Sequence, residues 1–196
     1  HSGKAVLLKA PWSFPGWSEF YAAARPRADK GELWITNGRV NEVWQSGFDD
    51  RRKPYTAARG TPPLLFMHPN DAAARGIANG DRVRVTNDAV YVQTGGGLGV
   101  LPQDQHFDAL LAAGHIRVTT GQFEAVAVLD DGLREGVAKA GFNSPGQHAN
   151  AVVHAVPDPL TQNYRYKLGR GSVESLGPSD LARSFDGPSL KGRGLG

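Results

Sequence analysis

The sequence predicts a mainly β protein, a barrel of short strands with small helices in the turns. Glycine occurs 25 times and proline 13 times in 196 residues, a content that favours short strands joined by turns over long helices. Several short runs are rich in β-branched and aromatic residues, as strands are. One unit near residues 64–86 places a strand, a small helix, a Gly-Asp turn and a second strand in close succession. No repeat with a fixed period is present.

Residues 1–30 are predicted to form an extended N-terminal arm. Pro11 and Pro15 interrupt an aromatic and apolar stretch that has no clean periodicity, and proline resists helix. Residues 18–30 could still hold a short helix through 21–24, ending near Pro26. The arm would lie on its own domain or on another surface, and the sequence leaves both open.

The first two strands are predicted at residues 32–36 and 64–67. The first is rich in aromatic and β-branched residues and leads into Asn37-Gly38, a strong turn signal. The second is halted by His68-Pro69. Between them the chain is polar and irregular.

The most legible local unit follows. Asn70 or Asp71 is predicted to cap a short helix over 72–75, and Gly76 to close it in a left-handed conformation. A turn leads to residues 82–86, which alternate polar and apolar side chains, as a half-buried strand should.

Residues 88–113 are predicted to be an insertion in the barrel. They contain the glycine-rich run 94–99, and a short helix is predicted near 108–113. The glycine-rich run lacks the Gly-Lys-Ser/Thr ending of a phosphate-binding P-loop, so a loop is the better interpretation.

Two further strands are predicted at 115–119 and 123–129, followed by turns at 131–132 and 135–136. Glycine, serine and proline dominate after about residue 173. Residues 176–196 are therefore predicted to be an extended C-terminal tail.

Composition excludes several classes of function. The formal net charge is +3, but the densest basic cluster, Arg51 to Lys53, directly follows Asp49 and Asp50, so nucleic-acid binding is not expected. There is no cysteine, which excludes disulfides, thiolate zinc sites and a cysteine-ligated iron–sulfur cluster within this chain. No stretch approaches the ~20 apolar residues of a membrane span, and a soluble protein is expected.

No catalytic or metal-binding residue is predicted. The histidines form no helical ligand pair, no Gly-x-Ser-x-Gly elbow is present, and the carboxylates are scattered. Hydrogen-bond donors do gather in three stretches, at 36–46, 147–150 and 163–167, and together these would suit a flat, anionic ligand.

Four stretches carry a family resemblance. They are 33–46, with Asn-Gly-Arg-Val-Asn-Glu-Val-Trp-Gln-Ser at 37–46, then 68–85, 131–137 and 150–173. In this order and at these gaps they resemble the C-terminal molybdopterin-dinucleotide-binding domain of the DMSO reductase superfamily. The similarity is closest to arsenite oxidase-type large subunits, with iodate reductases among their relatives.

The resemblance implies a six-stranded double-psi β-barrel of the aspartate-decarboxylase type over residues 31–175. It implies a molybdenum-containing bis-molybdopterin guanine dinucleotide cofactor, with an iron–sulfur cluster elsewhere in the enzyme. The cofactor-binding residues that it implies are Asn37, Gly38, Arg39, Asn41, Trp44, Gln45, Ser46, Gln147, Asn150, Tyr166 and Lys167. Catalytic and metal-ligating residues of the superfamily lie upstream of this segment, so none is assigned here.

The function so implied is the cofactor-binding part of an oxidoreductase that exchanges electrons with a small oxyanion. Its partners would be the N-terminal body of the same subunit and an iron–sulfur or other electron-transfer subunit, and its location the periplasm. The alternative is a free-standing barrel that serves as a binding module without metal. The identity of the oxyanion, the direction of electron transfer, the oligomeric state and whether the chain is a natural subunit or part of a longer one stay open.

Overall fold

The structure is a computed structural model that describes residues 15–39, 52–54, 62–95, 106–142, 144, 146–157, 163–164 and 166–180. Its strands are β1 (Leu33–Gly38), β2 (Leu64–Met67), β3 (Asp81–Gln93), β4 (Ile116–Leu129), β5 (Val137–Gly141) and β6 (Gly169–Pro178). Its α-helices are α1 (Pro15–Ala24), α2 (Pro69–Ala73) and α3 (Phe107–Ala112), and 3-10 helices span Ala28–Lys30 and Ala149–Val152.

The strands close into a six-stranded barrel in the order β1-β5-β2-β4-β3-β6, so the predicted barrel is confirmed. β1 runs parallel to β5 and β2 runs parallel to β4, whereas the other neighbours are antiparallel. β5 therefore lies between the consecutive strands β1 and β2, and β4 lies between β2 and β3. Closure leaves the barrel strands without a long free edge along these pairings.

The barrel core follows from the alternation of side chains along the strands. In β1, Leu33, Ile35 and Asn37 point inward, and in β3 Val83 and Val85 do the same. Apolar side chains from all six strands, together with Ala72, Ile77, Ala149 and Val152, form one buried cluster. Of the three inward residues of β1 only Asn37 is polar, which marks the carboxyl end of this strand as a special point.

The turn unit after β2 is tied to the barrel by hydrogen bonds. Gly76 has a left-handed φ of 63°, as predicted. The helix cap is different from the prediction, because the His68 side chain accepts from the Asn70 backbone N–H and Pro69 begins the helix. Downstream, Asn79 Oδ1 accepts from the backbone N–H of Leu129 at 3.0 Å, which attaches the turn to β4.

A second apolar cluster lies outside the barrel, between α1, α3 and the strands. Its buried members are Phe20, Ala24, Phe107, Leu110, Ile116 and Val156. Arg170 of β6 donates to the backbone oxygens of Ala23 and Arg25 at 2.6 and 2.7 Å and so satisfies the carboxyl end of α1. The possible short helix through 21–24 is therefore confirmed, but it begins earlier, at Pro15, so the prediction of an extended arm over 1–30 is wrong for residues 15–20. Residues 1–14 lie outside the described part.

Two strand predictions were wrong in length. Asn37 and Gly38 do not form a turn but continue β1, because they pair with Ala140 and Gly141 of β5. The two strands predicted at 115–119 and 123–129 are one strand, β4, which pairs continuously with β3 apart from a register shift between Asn87 and Val90.

The boundaries of the predicted insertion and tail also move. β3 continues through residues 88–93, so the first part of the 88–113 insertion is a strand of the sheet, while the predicted helix is present as α3. β6 runs to Pro178 and takes the first residues of the predicted tail. β5 was not predicted, since Val137–Gly141 is short and surrounded by turn signals. In the described part of the chain, no helix combines the length and apolar character needed to cross a membrane.

Candidate cofactor-binding site at the carboxyl end of β1

A cluster of polar side chains lies where β1 leaves the barrel wall. Asn37 comes from β1, Asn150 from the Ala149–Val152 3-10 helix, and Tyr166 and Lys167 from the turn before β6. We call these four residues the Asn37 cluster. Three of the segments predicted to bind a cofactor are thus adjacent in space, although they are far apart in sequence.

Asn37 holds the cluster together. It is 5% exposed, and its side-chain nitrogen donates to Asn150 Oδ1 and to the backbone oxygen of Tyr166, both at 2.7 Å. An asparagine amide has two N–H donors, so both are used within the protein. Asn37 therefore positions the other residues, while its amino group has no hydrogen left for a ligand.

Lys167 closes the cluster from the other side. Its ammonium donates to the backbone oxygen of Asn37. An ammonium has three donors, so Lys167 keeps donors and a positive charge for a further acceptor. Asn150 is exposed, and only its side-chain oxygen is used by Asn37, so its amino group is also available.

Gln147, three residues before Asn150 in the sequence, is attached to β4. Its side-chain oxygen accepts from the backbone N–H of Glu124 at 2.6 Å, which leaves its amino group as a donor. The Glu124 carboxylate is itself engaged by Arg84 at 2.8 Å and Arg82 at 3.0 Å, and hydrogen bonds from these two guanidiniums, Arg84 first, lower the pKa of Glu124. That carboxylate is thus neutralised locally.

Lys139, a cation that the sequence analysis did not single out, lies over Gly38. Lys139 of β5 is paired in register with Thr36, and its Cε is 3.5 Å from the place that a Cβ on Gly38 would occupy. Arg39 follows Gly38 and is exposed. Lys139 sits between buried Ala138 and Ala140, an alternation that could have identified it only if β5 had been recognised as a strand.

The outer side of the cluster carries two exposed aromatic rings. Tyr164 and Tyr166 are 42% and 53% exposed, and their ring centroids are 5.9 Å apart. The remaining predicted site residues, Asn41, Trp44, Gln45 and Ser46, lie outside the described residues. Within the described ranges, no group of three or more histidines, aspartates or glutamates has the arrangement of a metal site.

Comparison with known proteins places this geometry in a family. Residues 33–94 match the family model "Molydopterin dinucleotide binding domain". The chain is 57% identical over its whole length to iodate reductase subunit IdrA of Denitromonas iodatirespirans and 56% identical to that of Pseudomonas sp. strain SCT. It is 38% identical to arsenite oxidase subunit AioA of Herminiimonas arsenicoxydans over 87 residues, or 44% of the chain and 10% of that protein.

The chain spans 22% of the length of the two iodate reductase subunits that it matches. The matched segment contains β1 with Asn37, Gly38 and Arg39, and the similarity to the iodate reductase subunits covers the part of the chain that holds Asn150, Tyr166 and Lys167. The matching family model names a molybdopterin dinucleotide as the bound group, in agreement with the type of cofactor predicted from the resemblance. The chain belongs to the DMSO reductase superfamily, as a molybdopterin-dinucleotide-binding domain of the kind found in arsenite oxidase and iodate reductase.

Proposed function

We propose that this chain is the cofactor-binding part of the catalytic subunit of a molybdenum oxidoreductase of the iodate reductase and arsenite oxidase type. The observation that carries the proposal is the Asn37 cluster, which brings three predicted donor segments together within a chain 57% identical to an iodate reductase subunit. The reaction class would be electron exchange with a small oxyanion.

The donor chemistry of the cluster fits the cofactor. A molybdopterin dinucleotide presents phosphate oxygens and ring carbonyls, which are acceptors, and the available groups here are donors. They are the amino groups of Asn150 and Gln147, the ammonium of Lys167, the guanidinium of Arg39 and the hydroxyl of Tyr166. Such donor-rich, positively charged surfaces recognise anionic groups.

The chain's own residues would bind, orient and cover the cofactor, whereas the cofactor supplies the redox chemistry when bound. Asn37 would act as a positioning residue, because its two amide hydrogens are used to hold Asn150 and Tyr166. Because Gly38 has no side chain, the cofactor could approach the backbone closely on the outer side of β1. Asn41, Trp44, Gln45 and Ser46 are proposed to complete the site, and their loop to be ordered by contact with the cofactor.

We extend the proposal to the type of barrel and to the partners of the chain. The barrel would be of the double-psi type, consistent with the insertion of β5 and β4 between consecutive strands. The partners would be the body of the same subunit and an iron–sulfur or other electron-transfer protein, in the periplasm. The greater length of the iodate reductase subunits supports a large body outside this chain.

Elemental and nucleotide analysis of the complete protein tests the cofactor assignment. Two guanines released by acid hydrolysis for each molybdenum are expected from a bis-dinucleotide cofactor. Neither molybdenum nor guanine in an intact assembly would overturn the proposal and favour the alternative, a barrel that binds a partner without metal.

The contribution of Lys167 can be measured by substitution. In Lys167→Met we expect the affinity for the cofactor to fall about 10-fold or more, because a charge-assisted hydrogen bond contributes roughly 1.5–3 kcal/mol. Molybdenum retained after dialysis against a competing chelator reports this loss. Lys30→Met is the matched control, since Lys30 is also exposed but pairs with Asp88. Equal retention in the two variants would remove Lys167 from the site.

A further inference from the structure

His154 is buried outside the barrel core, between two aromatic rings. It is 1% exposed. Its ring meets Phe20 of α1 edge-on, with centroids 5.8 Å apart, and stacks on Tyr91 of β3 at 5.1 Å. The imidazole therefore forms part of the surface on which α1 is seated.

The hydrogen bonding of His154 requires a neutral ring. Nδ1 accepts from the backbone N–H of Tyr91 at 3.1 Å, so Nδ1 carries no proton and the proton is on Nε2. Nε2 is buried, and the backbone oxygen of Ala24 in α1 interacts with its proton, although the contact lies outside normal hydrogen-bond geometry. A second proton on Nδ1 would break the bond to Tyr91 and place a charge among aromatic rings.

The charges around the ring also oppose protonation. Burial first, and then the cation of Arg170, lower the pKa of His154 to about 4. Arg170 is 2% exposed, and its Nε lies 3.6 Å from Glu32. The Ala24 backbone oxygen and the Glu32 carboxylate raise the pKa of His154, but less than burial and Arg170 lower it, and the Glu32 carboxylate is already engaged by Arg27.

The other ionisable groups of the surrounding elements are paired with one another. Asp88 of β3 binds Arg27 and Lys30. Glu19 of α1 lies 3.2 Å from His106, which precedes α3.

Release of α1 need not open the barrel. Phe20 and Ala24 are buried in the second apolar cluster with Phe107 and Ile116, and this cluster is separate from the core inside the barrel. Elements that bury few groups of their own open locally while the rest of a protein stays folded. Helix α1 is thus an element that packs on a surface containing a titratable ring, His154.

We propose that His154 is a proton-sensitive latch for helix α1: the neutral ring holds the helix on the barrel, and uptake of a proton by the exposed ring favours the released helix. The latch consists of His154, its two ring neighbours Phe20 and Tyr91, and the Arg170 side chain that binds the end of α1. It is independent of the cofactor assignment, since it uses none of the residues of the Asn37 cluster.

The sign follows from linkage. The docked ring has a pKa of about 4, below the ordinary value of 6.5 that it regains when exposed. The equilibrium between docked and released α1 is therefore nearly constant above pH 6.5. As the pH falls from 6.5 towards 4 it shifts to the released helix, by up to ~300-fold in total. Between about pH 7 and about pH 5 the expected increase in the opening equilibrium is about 20-fold.

Hydrogen exchange of the α1 amides in the complete protein, corrected for the intrinsic pH dependence, measures that equilibrium. We expect the opening equilibrium of Pro15–Ala24 to rise about 20-fold between about pH 7 and about pH 5, while the β1 amides keep their protection. The ratio of the opening equilibrium at about pH 5 to that at about pH 7 should fall to about 1 in His154→Asn. The asparagine side-chain oxygen can accept from the Tyr91 N–H but does not titrate. His115→Asn, which removes an exposed histidine between α3 and β4, is the matched control and should keep the wild-type ratio.

The proposal is overturned if His154→Asn keeps the wild-type ratio, or if wild-type α1 exchange shows no such rise. Should His154→Asn fail to fold, the wild-type protein still decides. A histidine carbon resonance with contacts to the Phe20 and Tyr91 rings is expected to titrate below pH 5 by NMR, about 4 being the value for the docked ring. Titration near 6.5 would show a ring that is exposed in the docked state.

Discussion

Alanine at Gly121 is expected to lower the free energy of unfolding by about 3 kcal/mol or more, because the added methyl group meets backbone that cannot move aside. A Cβ at this position would lie 1.8 Å from the backbone oxygen of Ala151 and 2.6 Å from its carbonyl carbon. Gly121 lies on β4, and Ala151 belongs to the 3-10 helix that also carries Asn150. Chemical denaturation followed by circular dichroism measures the change.

Gly38→Ala is the matched control for this substitution. Gly38 is also a strand glycine without a positive φ, but a Cβ there would make an ordinary contact of 3.5 Å with Lys139 Cε. Its effect on the unfolding free energy should stay within about 1 kcal/mol. If Gly121→Ala and Gly38→Ala unfold at the same denaturant concentration, the close approach of the 3-10 helix to β4 is wrong.

Aspartate at Asn37 is expected to have the second large effect, on both stability and cofactor content. The exchange preserves shape but removes two donated hydrogen bonds and turns a carboxylate towards Asn150 Oδ1 and the Tyr166 carbonyl. We expect a loss of about 3 kcal/mol in unfolding free energy, since two acceptors lose their donor and a charge is placed at the buried position of Asn37. Molybdenum retained in the complete protein should fall to about a tenth or less, as the Asn37 cluster separates.

Asn79→Asp is the control with the opposite chemistry. Asn79 uses its side-chain oxygen, which accepts from the Leu129 N–H, and an aspartate keeps that acceptor. The variant should match the wild-type protein in stability to within about 0.5 kcal/mol. A similar loss of stability in both variants would mean that the hydrogen bonds donated by Asn37 do not stabilise the protein. Full cofactor retention in Asn37→Asp would mean that Asn37 is not a positioning residue.

Much of the local structure was predictable because its causes are local. The strand at 64–67, the left-handed Gly76 and the helix near residue 108 follow from side-chain branching, backbone freedom and short-range capping. The motif at 37–46 also identified the family before any contact was known, although Asn41 to Ser46 lie outside the described residues.

The wrong predictions share a different cause. Asn37-Gly38 has the local signature of a turn, but pairing with Ala140 and Gly141 of β5 keeps it extended. Residues 15–20 begin with Pro15 and have no clean periodicity, yet the second apolar cluster and Arg170 stabilise a helix that starts there. In both cases contacts with residues distant in sequence outweigh a local preference of about 1 kcal/mol.

The sequence by itself determined the class of fold, the donor types of the candidate site and the family. Only the tertiary structure decided that Asn37 holds the site together, since its partners are 113 and 129 positions away. The same applies to Lys139, which barrel closure brings over Gly38, and to His154, which α1 covers. Donor chemistry belongs to each side chain alone, whereas a hydrogen bond, a buried charge or a lowered pKa depends on neighbours that only the folded chain supplies.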